Sequence, residues 1–338
     1  MVVALLAPVL AGDRPVVLGA ATTIVIEPLI PFRAGTTALS GRRYAPPLTR
    51  SADGQRHWLG TDRLGRDVAA GLIAGARVAV VVGLGSVGLA LLIGMPLGAV
   101  AGFFGDRGWR APRLVPWSVG IGLLLGSGYT YASLRWVLGG QLLILGWIFA
   151  VGIGTSATWL VLRLASRWIS GLRRPVPVPL DRCVVFLIEA WSSVPGLIVL
   201  IALVTLVPRP TLGLIVLIIG LLGWPSIARF LRAELLRIRE LTYISAARIT
   251  GVGEWGLLWR HALPNAIAPL VVVAAFLLGS SILAEASLSF LGLGLPADQV
   301  TWGSLLQQSR ARPEAWWLAV FPGLLLTVTV LACNRLRR

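Results

Sequence analysis

The sequence predicts an all-α, polytopic membrane protein, and three observations carry that prediction. Apolar residues fill 56% of the 338 positions and charged residues 13%, whereas soluble domains carry roughly a quarter charged residues. Mean hydropathy is +0.83. The apolar residues are gathered into long runs, many close to the roughly 20 residues that cross a hydrocarbon core, and the charges fall between them. All 30 basic residues are arginines, set against 14 acids, for a net charge of +16. In a soluble chain that excess would point to nucleic acid. Between apolar runs it is explained by topology and lipid headgroups, so lipid is the expected partner and nucleic acid is not.

The elements follow in order. Met1 to Ala11 is apolar but too short to span, and reads as the tail of a first span begun upstream. Residues 12–77 hold Pro15, Pro28, Pro31, Pro46 and Pro47, and β-branched runs such as Thr22 to Ile26. They read as an extramembrane loop with short extended segments. The loop closes on Trp58 to Asp67, where Thr61 or Asp62 is the expected cap of an interfacial helix. Residues 1–77 thus form one region and 78–338 the membrane domain.

Val78 to Phe104 reads as a span whose Gly83, Gly85, Gly88 and Gly94 let neighbouring helices come close. Leu114 to about Ala132 and Val137 to about Leu164 are two further apolar segments, joined around Arg135. The run Pro175-Val176-Pro177-Val178-Pro179 reads as a stiff connector. Asp181 to Val207 is the next span, followed by Thr211 to Trp224, whose helix should continue through Pro225 towards Arg229. Ala266 to Phe290 and Trp316 to about Cys333 complete the set, with Leu291 to Glu314 a loop between them. The count is seven complete spans plus the partial first one.

Arginine counts orient the chain. Segments 105–113, 163–182, 225–262 and 335–338 hold 17 arginines, while the short loops on the other side hold 4. The richer side faces the cytoplasm. The 12–77 loop is too long to vote and falls outside by parity.

Catalytic and metal motifs are missing. No nucleophile–base pair, zinc-ligand spacing or phosphate-binding glycine loop occurs, so no catalytic or metal site is assigned. Cys183 and Cys333 lie far apart in or beside spans, and His57 and His261 are the only histidines. With no lysine, the chain cannot build a Walker-type Gly-Lys-Ser/Thr; if ATP drives it, the motor is another subunit. One stretch stands out: Arg237, Arg239, Glu240, Arg248, Glu254, Arg260 and His261 form a polar island on the cytoplasmic side. Ala246-Ala247, Gly251 and Leu263-Pro264 suit two short helices joined by a glycine turn, with Pro264 ending the second.

That island resembles the "EAA" coupling loop of ABC importer permeases. Ser245-Ala246-Ala247, Gly251, His261 and Leu263-Pro264 occupy the places of its pattern. The wider chain resembles the second permease of dipeptide and oligopeptide importers, the DppC/OppC type. That likeness rests on Leu59 to Asp67, Gly75-Ala76-Arg77, Arg260 to Asn265, Ala284 to Gly294, Trp302-Gly303, Trp316 to Ala319 and Phe321-Pro322-Gly323. The resemblance implies a type I ABC importer transmembrane fold in the inner membrane. It also implies a homologous second permease, two cytoplasmic ABC ATPases that carry the ATP, and an extracytoplasmic solute-binding protein. It implies no cofactor on this chain. Peptides are the implied cargo, with nickel complexes or other small solutes as alternatives within the family.

Three departures accompany it. Ser245 stands where the motif has glutamate. Residues from about 109 to 175 look like two helices added to the usual six, within a membrane domain whose coupling loop spans 225–265. The usual Gly-Asp-rich tail does not follow Asn334. Two acids near spans, Glu189 and Glu285, are candidates for the translocation pathway because ionisable groups at membrane depth face a bundle interior or a wet cavity. The competing readings are a membrane-embedded enzyme using Glu189, Glu285 and His261, or a permease remnant that no longer transports.

Overall fold

The structure, a computed structural model, describes residues 16–18, 24–26, 43–51, 56–106, 110–112, 114–134, 140–166 and 175–335. Expectations for Met1 to Ala11, for the turn around Arg135 and for most of the outer loop lie outside the described residues. Ten helices are described: α1 (Val68–Phe104), α2 (Leu114–Tyr129), α3 (Gly140–Ala165), α4 (Leu180–Ser192), α5 (Gly196–Thr205), α6 (Leu212–Ile238), α7 (Thr242–Ile249), α8 (Glu254–Phe290), α9 (Trp302–Ala311) and α10 (Trp317–Arg335). Six short strands pair as three antiparallel ribbons: β1 (Val16–Leu18) with β2 (Ile24–Ile26), β3 (Thr49–Arg50) with β4 (Arg56–His57), and β5 (Arg110–Pro112) with β6 (Pro175–Pro177). The helices dominate, and the fold is all-α in class.

Helices α1, α6, α8 and α10 are long and apolar enough to cross a membrane. Helices α4 and α5 form a fifth candidate only as a broken pair, bent by 67°. The bend falls at Ser192-Ser193-Val194-Pro195, where a kink was expected within the span Asp181 to Val207. Pro195 breaks the span, because proline has no N–H for the helical ladder and disfavours helical backbone at Val194.

Several boundaries move for identifiable reasons. Helix α1 starts ten residues before the expected Val78, and its cap is neither Thr61 nor Asp62. Asp67 accepts from the Ala70 amide at 2.9 Å, which satisfies one of the orphan donors of the first turn. Asp62 instead stabilises a tight turn, its Oδ1 accepting from Leu64 N and Arg66 N at 2.8 and 2.9 Å. Helix α6 runs past Trp224, through Pro225, to Ile238. The expected loop 291–314 contains α9, whose N-terminus is closed by a reciprocal Thr301–Ser304 capping box. The proline-rich connector is a strand at Pro175–Pro177, paired with Arg110–Pro112.

The chain divides into two compact units, one of Met1–Ala99 with Leu187–Arg338 and one of Val100–Phe186. In the smaller unit, α2 and α3 run antiparallel and very close. A Cβ on Gly122 would lie 2.3 Å from Thr155 Oγ1, and one on Gly126 would lie 2.5 Å from Val151 Cα. The β5–β6 ribbon closes the base of this hairpin.

In the larger unit, α6 lies backbone-to-backbone against α1. A Cβ on Gly94 would meet the Trp224 carbonyl oxygen at 2.6 Å, and one on Gly98 the Ala228 carbonyl oxygen at 2.6 Å. Apolar lipid gives helices little reason to associate, so close van der Waals approach of this kind holds them. Val68, Leu72, Ile282, Trp302, Leu305, Trp317 and Leu318 form one buried cluster, uniting α1, α8, α9 and α10. Val82, Leu200, Val204, Ile215, Ile218, Ile219 and Leu288 form a second, uniting α1, α5, α6 and α8.

The α1–α6 contact can be tested directly. Gly98→Val should push α6 off α1 at a cost of about 3 kcal/mol or more, beyond ordinary overpacking because the obstacle is backbone. Gly88, which has nothing within 4 Å of an added Cβ, should accept alanine without loss. Thermal melting of the detergent-purified chain separates the two.

Candidate functional site

The polar island folds as a compact wedge between α6 and α8. Helix α7 is eight residues long and ends in a Schellman motif: Gly251 N donates to Arg248 O at 3.1 Å and Val252 N to Ala247 O at 3.2 Å. The motif needs a left-handed residue, and Gly251 supplies it with φ +87°. Arg248 and Glu254 then bridge the reversal with a two-pronged ion pair, Nε–Oε1 at 2.8 Å and Nη2–Oε2 at 3.1 Å. Both side chains are half-exposed, so the pair contributes about 0.5 kcal/mol and acts mainly on geometry.

The second short helix expected before Pro264 is not separate. Glu254 to Ala262 continues into α8 through a π turn at Leu257–Ala262. Pro264 has no N–H to offer the Arg260 carbonyl, and the widened turn just before it carries the helix past the proline instead of stopping there. The wedge is therefore welded to a membrane-spanning helix.

Burial sorts the residues of the loop. Ile244, Leu257, Leu258 and Leu263 point inward and are buried. Asn265 Nδ2 donates both to Tyr243 Oη at 3.0 Å and to His261 O at 2.7 Å, tying α7 to the start of α8. Ser245, Ala246, Gly251 and Pro264 are exposed, and Ala247 and His261 are half-buried. Leu263 thus anchors the wedge from inside. Ile249, which sequence reading passed over, is 88% exposed at the tip, and Trp255 and Trp259 are also exposed. These three exposed apolar side chains share the loop with its charged residues. For Ile249 the signal was in the sequence, as an apolar residue on the Ala246 side of α7.

Ser245 leaves the loop without the expected carboxylate, and the nearby acids are already engaged. Glu240 pairs with Arg239 at 3.1 Å, and Glu254 with Arg248.

The two candidate pathway acids are not brought together. Glu189 on α4 is exposed and pairs with Arg229 on α6 at 3.3 Å. Glu285 on α8 is 2% exposed and accepts from Ser289 Oγ at 2.7 Å. His261 and Glu285 lie on one helix about 36 Å apart at 1.5 Å per residue. The constellation an embedded enzyme would need is not assembled.

At the opposite end of α6 and α8 the scattered motifs of the sequence converge. Trp302 Nε1 donates to Leu72 O at 2.8 Å, over Gly75, and Trp317 Nε1 to Thr61 O at 3.2 Å, beside Gly60. Gly303 sits so close to α8 that a Cβ would be 2.3 Å from Ala286 O. His57 Nδ1 and Asp67 Oδ2, both buried, are 2.8 Å apart.

Comparison with known proteins now decides the family. Residues 168–338, half of the chain and the part that carries the wedge, match the model of the binding-protein-dependent transport system inner membrane component. The chain belongs to that family. It is a permease, the non-catalytic membrane component of a binding-protein-dependent transporter, and it lies in the inner membrane. A putative peptide permease protein of Brucella suis is 30% identical over 287 residues, 84% of this chain and 71% of the relative. The glutathione transport system permease protein GsiD of Pectobacterium atrosepticum is 27% identical over 281 residues, 83% of this chain and 69% of the relative. A putative peptide transport system permease protein of Brucella suis is 36% identical over 155 residues, 46% of this chain and 52% of the relative.

Glu254→Gln should leave the melting temperature of the permease within error, since the half-exposed pair contributes so little. It should raise protease cleavage between Ile249 and Gly253, because the bridge across the glycine turn is lost. Peptide mapping after limited proteolysis reads this out.

Proposed function

We propose that this chain is one of two homologous permease subunits in an ATP-driven importer of di- or oligopeptides, and that its 239–265 wedge is where a cytoplasmic ABC ATPase docks. The exposed tip carries the docking reading: Ile249 stands almost fully in solvent beside exposed Ser245 and Ala246. Small residues on one side of α7 leave room for the wall of a groove. Ala247, Gly251, His261, Leu263 and Pro264 set the shape of the wedge behind that surface. An extracytoplasmic binding protein would deliver the cargo. The peptide cargo is supported by the relatives, whose names specify peptides or glutathione.

Within this proposal the described helices of the membrane domain make seven complete crossings, with α2 and α3 as an inserted pair. Their ribbon-closed base returns the chain near its point of departure, so two extra crossings leave the downstream orientation unchanged. Glu189, exposed and paired with Arg229, is assigned to the pathway side of α4, and Glu285, bonded by Ser289 on its own helix and by Thr301 at the start of α9, to holding the outer end of α8.

Gly251 provides the test. In reconstituted transporter, Gly251→Val forces a β-branched residue into left-handed backbone, where even an unbranched L residue costs about 1–2 kcal/mol. Uptake of a labelled dipeptide should be abolished while the subunit remains in the membrane. Gly251→Asn, which tolerates that backbone, should keep much of the uptake. Unchanged uptake with Gly251→Val would overturn the coupling role.

A further inference from the structure

The end of the larger unit opposite the wedge holds a cavity of about 990 Å³, at the upper end of the range for small-molecule sites. The Asp62–Arg66 turn, the Val204–Pro210 turn after α5 and the Ser289–Val300 stretch after α8 form its walls. Its cations are Arg63, Arg66 and Arg209, and its acids Asp62 and Asp298. Asp62 is already occupied by the Leu64 and Arg66 amides.

Arg66 is the unusual member. Its side chain is 7% exposed, its Nη1 donates to Ala297 O at 2.8 Å, and its Nε is buried with no partner. Among the described residues no carboxylate pairs with Arg63, Arg66 or Arg209. A guanidinium stays charged at all accessible pH, and burying it without a counter-charge costs several kcal/mol. The fork of N–H groups suits a carboxylate, which can accept two parallel bonds.

We infer that this cavity binds the carboxylate of a small peptide-class solute, with Arg66 as the principal ligand and Arg209 and Arg63 as cations on the exposed rim. Asp298, exposed on the same lining, gives the solute's ammonium group an acid to face. The cavity is a holding site at the outer end of α6 and α8, used before the solute crosses. This inference rests on the transport reading above and adds a site and a chemical requirement, a free carboxylate, to it.

The experiment is equilibrium binding of tritiated trialanine and of its C-terminal amide to the permease pair with its ATPases in nanodiscs, without ATP or binding protein. Trialanine should bind, with the amide weakened about tenfold or more, the equivalent of roughly 1.4 kcal/mol. Arg66→Gln should weaken trialanine by a similar factor and Arg66→Lys by less, while binding of the amide stays the same in both. Arg209→Gln, on the exposed rim, tests the same attraction in a variant whose folding is not at risk. Equal binding of acid and amide to the unaltered complex overturns the site, even if Arg66→Gln fails to assemble. Dipeptide uptake by the same unaltered complex, supplied with ATP and binding protein, separates the two failures. Uptake with no carboxylate preference removes this site alone, whereas loss of uptake removes the transport reading.

Discussion

The structure depends on how closely α6 approaches α1. At Gly94 and Gly98 no side chain separates the two backbones, and the Trp224 and Ala228 carbonyls occupy the space a Cβ would need. In a membrane, where apolar packing against lipid is nearly as good as against protein, such contacts set which helices move together. Helix α6 is therefore held by α1 from Val216 to Ala228. It starts at the turn that lines the outer cavity and ends, 27 residues later, at the wedge.

Helix α8 makes the same connection in reverse. It rises out of the wedge without a break, because the π turn accommodates Pro264, and ends at the loop that forms the cavity wall. Two helices about 40 Å and 55 Å long at 1.5 Å per residue thus each have one end in the wedge and the other at the cavity. A partner that tilts the wedge acts on both at once. This is the physical content of coupling for a permease: rigid elements that share two ends, one of which a motor grips.

Much of this was legible in the sequence. Hydropathy located the apolar segments, and the spacing of Ala246, Gly251 and Leu263-Pro264 located the wedge, because a glycine that must be left-handed leaves a fixed mark. The errors lie where tertiary contacts decide. Asp67 rather than Thr61 or Asp62 caps α1, since His57 and the packing of Gly60 beneath Trp317 place Asp67 at the helix start. Pro264 was expected to end a short helix and does not, because the π turn at Leu257–Ala262 carries the chain past it. Arg66 was read only as part of a motif; its burial, which makes it chemically interesting, arises from the remote stretch around Ala297. The convergence of Leu59 to Asp67 and Gly75 with Trp302-Gly303 and Trp317 was likewise hidden, since the first two lie more than 200 residues from the last two.

The central claim is that the exposed side of α7 meets an ATPase. Site-directed cross-linking measures it most directly. In a chain with Cys183 and Cys333 replaced by serine, Ala246→Cys should form a high-yield cross-link with a partner ATPase of the assembled transporter, and the yield should change on adding ATP. Leu263→Cys, buried in the same wedge, should form none. Absence of an ATPase cross-link from Ala246→Cys in a complex that still transports would contradict the account.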